Sequence, residues 1–539
     1  MNFRMLVVWM VGVLAVCGAE SETFMGTAAR TGTYKRPLLI VDGKRFELKA
    51  SDQADASVGE TLARFSAGDT NWYAVVGIRG LVNNNEGILV DRITPLANGP
   101  AVAGTGVSGG QAVAGHALPG PAQAPPAVHA KVVTVGADRY LVYNYDDLAT
   151  MQYTVVIPES LKTVRGLLVN ACYAGGDSRG DWTFCEYYRQ FMHLHGFAYV
   201  GSTATAGALP LPVKTNDTAY AKHRAIFEAF QASLQMIATV SRHPELAHAP
   251  YAGVGFSAGG GFAFNLMVFA PERTLAAVSY ASPYNFKRRL TSPPSETLLG
   301  VPSICISGEQ EGFNVPDFNT DPSLGKAIID EVFLPYRPKG ATYAWLERQG
   351  LGHAYDENRQ DVVGIPLLDA AVRARYPKDG NPTKGPVKLL PVDAAAGWIA
   401  DNTTWKSGLT EIYPASDFKG DPGRSSWLQN EDLAFIYRAY STYDKPLTMT
   451  SPGNCGPGMP SLAPGASVPI VVDASNFPGW KTMAFYDGAR KLAEITQGPT
   501  RFTATNLTPG YHVFSVLATD ANGNVRTADP KMVIVRASP

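Results

Sequence analysis

Residues Tyr251 to Ala270 read YAGVGFSAGGGFAFNLMVFA. The first five residues, Tyr251 to Gly255, are apolar and suit a short buried strand. Phe256-Ser257-Ala258-Gly259 is a sharp turn, and the apolar, small-residue segment behind it suits a helix. Gly255, Ser257 and Gly259 spell G-x-S-x-G. A serine hydroxyl is a poor nucleophile and works only when it stands exposed beside a base. A tight strand-to-helix turn presents it that way. The two glycines let strand and helix pass without a Cβ clash. Glycine and serine are common, so the motif alone equally describes a Gly-rich loop. Its surroundings decide between the two.

Those surroundings alternate. From residue 129 to about 380 the pattern gives strands at Tyr140 to Tyr143, Gln152 to Ile157 and Gly166 to Asn170. A helix follows at Trp182 to His195, then a strand at Phe197 to Gly201 and a long helix at Lys222 to Val240. After the motif come strands at Leu275 to Tyr280, Ser303 to Ser307 and Tyr343 to Leu346, and a final helix at Val362 to Arg375. Strand–helix alternation of this length predicts a doubly wound, mainly parallel sheet.

A serine on such a turn inside such a sheet resembles the α/β-hydrolases, whose nucleophile, acid and histidine follow in that chain order. Of nine histidines only His353 and His512 lie after Ser257. His512 belongs to a later β-rich segment. His353 sits in Gly350-Leu351-Gly352-His353-Ala354, between a strand pattern and the final helix, where the resemblance places the histidine loop. A satisfied structural histidine is the bland alternative, but a Gly-flanked loop offers no core for it. The acid is expected after the strand Ser303 to Gly308, where relatives often show Gly-x-x-Asp. Glu311 holds that position here, a departure in residue type. Glu309, Asp317 and Asp321 are the alternative acids, and for the two aspartates a solvated loop carboxylate is the simpler reading.

The resemblance further implies an oxyanion hole. One donor is the backbone N–H of Ala258, the residue after the serine. The second comes from the loop Ala171-Cys172-Tyr173-Ala174-Gly175-Gly176, with Tyr173 or Cys172 as the donor. That loop lacks the His-Gly-Gly-Gly of lipases. In layout the 129 to 380 region is similar to secreted feruloyl and acetylxylan esterases and polyhydroxyalkanoate depolymerases. Trp182, Tyr284, Trp398 and Trp405 are candidates for crevice walls, and for Trp398 and Trp405 in the extension a place in the core is the simpler reading.

The rest of the chain frames this region. With 539 residues it is too long for one core and calls for several domains. A formal net charge of −1 supplies no bulk attraction to nucleic acid or anionic membrane. Arg4, the apolar run Met5 to Val16 and small residues up to Ala19 suit a cleaved secretory leader spanning 1–19. Leu14-Ala15-Val16-Cys17 is close to a lipobox, so a lipid anchor on Cys17 is the alternative. No other stretch suits a membrane span. Residues 34–96 read as a small β-rich domain of OB-like size. Residues 97–128 are Gly, Pro, Ala and Val without charge and read as a flexible linker. The catalytic region extends to 460 with a weakly periodic extension in which Trp427 to Tyr440 suits a helix. Residues 461–539 show short alternating strands with turns at Asp487-Gly488, Pro509-Gly510 and Asn522-Gly523. They resemble the bacterial Ig-like β-sandwich modules of secreted enzymes. In an oxidising compartment Cys172 and Cys185 could pair, while Cys305 suits a buried thiol. No metal-ligand spacing occurs, and no cofactor is implied.

These observations converge on a secreted serine hydrolase acting on carboxylic esters, with an extracellular, polymeric substrate as the expectation. A serine peptidase of the same fold shares the triad. A surface adhesin with a hydrolase-like fold is the non-enzymatic alternative.

Overall fold

The computed structural model describes residues 22–30, 37–41, 44–50, 72–82, 85–96, 128–146, 152–172, 176–203, 218–311, 328–354, 361–456, 459–496 and 498–537. The leader and its Cys17 and nearly all of the linker lie outside them. The chain forms two compact units, residues 1–123 and 124–539.

The first unit is a closed five-stranded barrel with the order Glu22–Arg30, Pro37–Val41, Lys44–Ala50, Asn85–Leu96, Trp72–Val82. Lys44–Ala50 and Asn85–Leu96 run parallel, and the other pairs are antiparallel. Closure leaves no sheet edge exposed. The barrel takes in Glu22–Arg30, which lies before residue 34.

The second unit is built on a nine-stranded sheet. Six strands are parallel, in the order Phe197–Ser202, Gly166–Ala171, Tyr251–Phe256, Thr274–Tyr280, Ser303–Gly308, Tyr343–Arg348. Gln152–Pro158, Asp138–Asp146 and Val128–Val135 extend the first edge antiparallel. The Tyr251–Phe256 strand is fully buried, as its unbroken apolar run requires. Alternate side chains feed two cores. Leu167 and Val169 join Phe227, Phe230 and Leu234 of the helix Ala219–Ser241. Leu168 and Tyr199 join Tyr187 and Phe191 of the helix Glu186–His195, together with the helix Asp361–Arg375. The strands preceding the serine turn, the acid loop and the histidine loop run parallel, so all three segments emerge at one end of the sheet.

The extension is more ordered than its weak periodicity suggests. Trp398–Asp401, Ile412–Pro414 and Ser425–Leu428 form a three-stranded antiparallel sheet. The expected helix over Trp427 to Tyr440 divides into the last of these strands and a helix at Glu431–Ser441. Asn430 makes the break, because its side chain accepts the Leu433 N–H at 2.9 Å as an N-cap. Three of the crevice candidates are core, which corrects the reading of Trp182 and Tyr284 and agrees with the simpler reading of Trp405. Trp182 packs on Tyr140 with 2% exposure, Tyr284 on Phe264 with none, and Trp405 edge-on to Trp345 with 4%. Trp398 is half-buried against the same core.

The C-terminal segment is two facing sheets around one core. Thr448–Ser451, Val468–Asp473 and Arg501–Ala504 form the first sheet; Gly510–Asp520 lies within the second. The sheets begin at Thr448, earlier than residue 461. This segment is fused to the rest of the unit. Val513, Met532 and Ile534 pack into the core that holds Tyr187 and Phe191. The Tyr511 hydroxyl donates to the Tyr187 carbonyl at 2.7 Å, and Gln190 Nε2 to the Val535 carbonyl at 2.8 Å. No helix among the described residues is long and apolar enough to cross a membrane.

Candidate active site

Ser257 sits between the Tyr251–Phe256 strand and the helix Ala258–Phe269, with φ +54° and ψ −120°. A positive φ is unfavourable for a residue with a Cβ and persists only where its surroundings impose it. Here the Ser257 N–H donates to the Tyr280 carbonyl at 2.7 Å, and its carbonyl accepts the Gly261 N–H at 3.0 Å. The flanking glycines are required by close approach. A Cβ on Gly255 would lie 2.3 Å from the Gly259 carbonyl carbon. A Cβ on Gly259 would lie 2.0 Å from the Ala171 carbonyl oxygen. The serine turn is thus pressed against the end of the neighbouring strand, where the expected oxyanion loop begins.

Ser257, His353 and Glu311 come together. Ser257 Oγ is 2.9 Å from His353 Nε2, and His353 Nδ1 is 2.5 Å from Glu311 Oε1. Glu311 is 1% exposed, while the His353 side chain keeps 31% of its surface. The Glu311 carboxylate is therefore shielded and the imidazole is reachable. The second oxygen of Glu311 accepts the Gly308 N–H at 3.0 Å, which fixes the carboxylate plane. The Phe256 ring lies 5.2 Å from the imidazole and restricts its tilt. Such a chain lets the imidazole take a proton from the hydroxyl while the carboxylate holds its orientation and supports its charge.

Glu309 plays a different part from the alternative acid the sequence allows. Its carboxylate accepts the Gly350 N–H at 3.1 Å and pairs with Lys406 at 3.5 Å. Asp317 and Asp321 lie outside the described residues. The acid and histidine loops are laced together: Glu309 N–H donates to the Arg348 carbonyl and Gln310 N–H to the Leu351 carbonyl, both at 2.9 Å. Gly308 is needed there, because a Cβ would meet the Leu351 oxygen at 2.1 Å.

Ala258 opens the helix and is exposed. Its N–H stands at the helix N-terminus, where the dipole favours negative charge. Cys172 is buried beside it, its carbonyl 2.6 Å from where a Gly259 Cβ would be. Tyr173, the other candidate donor, lies outside the described residues. The far side of this loop is anchored. Ser178 Oγ donates to the Asn170 carbonyl at 2.6 Å, and Asn170 Nδ2 donates to Asp181 at 3.0 Å. Cys172 and Cys185 are both buried thiols and are not joined by a disulfide, so the pairing that the sequence left open is not formed here. Cys305 donates to the Ser282 carbonyl at 3.1 Å, and burial pushes its thiol well above the usual range.

Sequence reasoning missed the groups that brace the two loops from the C-terminal side. Arg348 makes a two-pronged ion pair with Asp529, at 2.8 and 2.6 Å. Lys406 pairs with Glu347 at 3.0 Å as well as with Glu309. Contacts between residues 181 positions apart leave no local pattern to read.

No protein-family model matches the chain, and no curated protein matches it. Parts of the chain are similar to solved structures. An S-formylglutathione hydrolase from Agrobacterium tumefaciens is 12% identical, over 45% of this chain and 96% of that one, with a TM-score of 0.29. An acetyl xylan esterase from Paenibacillus sp. R4 is 13% identical, over 46% and 90%, with a TM-score of 0.29. The fibronectin(III)-like modules of Clostridium thermocellum CbhA are 17% identical over 17% of this chain, with a TM-score of 0.16. This chain spans 46% of that module chain, less than half its length.

Proposed function

We propose that the protein is a serine hydrolase that cleaves carboxylic esters through an acyl-enzyme. The observation that carries this reading is the continuous Ser257–His353–Glu311 hydrogen-bond chain, with the serine on a positive-φ turn at a helix N-terminus.

His353 Nε2 accepts the Ser257 proton as Oγ attacks the ester carbonyl. Glu311 holds Nδ1–H and stabilises the imidazolium. Negative charge develops on the former carbonyl oxygen. The Ala258 N–H and a donor from the Cys172–Tyr173 stretch receive it. His353 then returns the proton to the leaving alcohol, and the same base activates water to release the acid. The leader-like N-terminus and modular layout support an exported enzyme with an extracellular ester substrate, polymeric in kind.

The test is a panel of p-nitrophenyl acyl esters beside methyl ferulate, acetylated xylan and a peptide amide. Ester turnover that Ser257→Ala abolishes supports the reading. Amide cleavage without ester cleavage points to a peptidase instead, and no turnover of any member by folded protein refutes the hydrolase.

A further inference from the structure

The histidine loop does not stand on the sheet alone. The Tyr343–Arg348 strand ends at Arg348, five residues before His353. The Arg348 carbonyl receives the Glu309 N–H at 2.9 Å and the Leu351 N–H at 3.4 Å, so its backbone is the hinge between the acid and histidine loops. Its side chain points the other way, into the C-terminal β-sandwich. There it meets Asp529 at 2.8 and 2.6 Å, and on the way it donates to the carbonyl of Tyr440 in the helix Glu431–Ser441 at 3.4 Å and stacks 4.9 Å over the Tyr440 ring. A planar guanidinium held by two parallel bonds and an aromatic face has little freedom to turn.

Asp529 is itself fixed. It lies between Val525–Thr527 and Lys531–Val535 of the sandwich. Lys445 Nζ donates to it at 2.6 Å and also to the Tyr440 carbonyl at 2.6 Å. Burial by itself would raise its carboxyl. The Lys445 ammonium and the Arg348 guanidinium outweigh that and hold it well below the usual carboxylate range. The sandwich therefore places a firmly ionised carboxylate under the root of the histidine loop.

We propose that the C-terminal β-sandwich is part of the catalytic apparatus, with Asp529 a positioning residue that sets His353 through Arg348. This rests on the serine-hydrolase reading above. A sandwich serving only as an appended binding module would need no such link. The sandwich makes a further ion pair with the body far from Arg348: Arg536 pairs with Asp138, on the strand next to the other edge of the nine-stranded sheet. That pair supplies a control for docking without positioning.

The experiment compares full-length wild type with Asp529→Asn, Asp529→Glu, Arg348→Lys and Arg536→Gln. Readouts are kcat and KM on a p-nitrophenyl ester, the pH profile of kcat, the fluorophosphonate labelling rate, and circular dichroism. Displacing a catalytic group by about 1 Å costs up to roughly a hundredfold. Asp529→Asn and Arg348→Lys should therefore lose about ten- to a hundredfold in kcat with KM little changed and a displaced acid limb. Asp529→Glu should recover part of the loss, and Arg536→Gln should leave kcat unchanged. If Asp529→Asn does not fold, Arg348→Lys and Asp529→Glu read the same linkage. A folded variant at either position with wild-type kcat and pH profile overturns the proposal, as does an equal loss in Arg536→Gln. A wild type that fails to label overturns the hydrolase reading instead.

Discussion

Glu309 and Glu311 stand two positions apart, too close for spacing alone to rank them. In the structure one is buried against the imidazole and the other ties down the loop beside it. Glu311→Gln should lower kcat by up to roughly ten-thousandfold, the scale seen when a triad acid is made neutral. Glu309→Gln should cost far less, because it loses only the Gly350 and Lys406 contacts. Steady-state kinetics on the two variants separates the roles. The turn makes a second prediction. A methyl group at Gly259 meets the Ala171 oxygen at 2.0 Å, and the atoms it meets are Ala171 and Cys172 backbone that cannot rotate aside. Gly259→Ala should destabilise by about 1–3 kcal/mol, as overpacking does, and slow labelling of Ser257. Denaturant unfolding checks the first effect. At this scale the sequence was informative. G-x-S-x-G, a Gly-flanked histidine and a post-strand glutamate were all legible, because tight turns and loops demand particular residue types. The bracing residues were not legible, because Arg348 and Asp529 carry no pattern until the fold brings them together.

The strands and helices of the parallel sheet were also legible, since unbroken apolar runs alternate there with amphipathic segments. The extension was not, because its strands are only three or four residues long. Four residues span two side chains per face, too few for periodicity to register. Titration should expose how the sandwich is held. The folded Asp529 carboxyl is depressed below its unfolded value near 3.9. Its contribution to stability is therefore complete above that value and is lost as pH falls below it. Asp529→Asn should flatten the acid limb of a Tm-against-pH curve below about pH 4. His223, on the Ala219–Ser241 helix, acts over a different window. Burial and then the Arg289 and Arg288 guanidinium groups lower its pKa to about 3. The unfolded chain takes up that proton near 6.5 and the folded chain does not, so stability should decline as pH falls from about 6.5 towards 3. His223→Leu should remove that part of the slope, as measured by thermal melts between pH 7 and 4.

On the scale of the whole molecule, Ser257, His353 and Glu311 all lie in the unit 124–539, as do the sandwich and its anchors. A chain starting at residue 124 should keep its labelling rate. A chain ending before Thr448 should not, because it strips Val513, Met532 and Ile534 from the main core and removes Asp529. Comparing the two truncations by labelling and circular dichroism tests whether the sandwich is a removable module. The proposed catalysis turns on Ser257 acting as a nucleophile activated by His353. Its most direct measurement is fluorophosphonate labelling of the full-length chain, followed by mass mapping of the adduct. Wild type should carry a single adduct on Ser257, Ser257→Ala should carry none, and His353→Ala should label far more slowly. Unlabelled, correctly folded wild type, or an adduct on another residue that persists in Ser257→Ala, would contradict it.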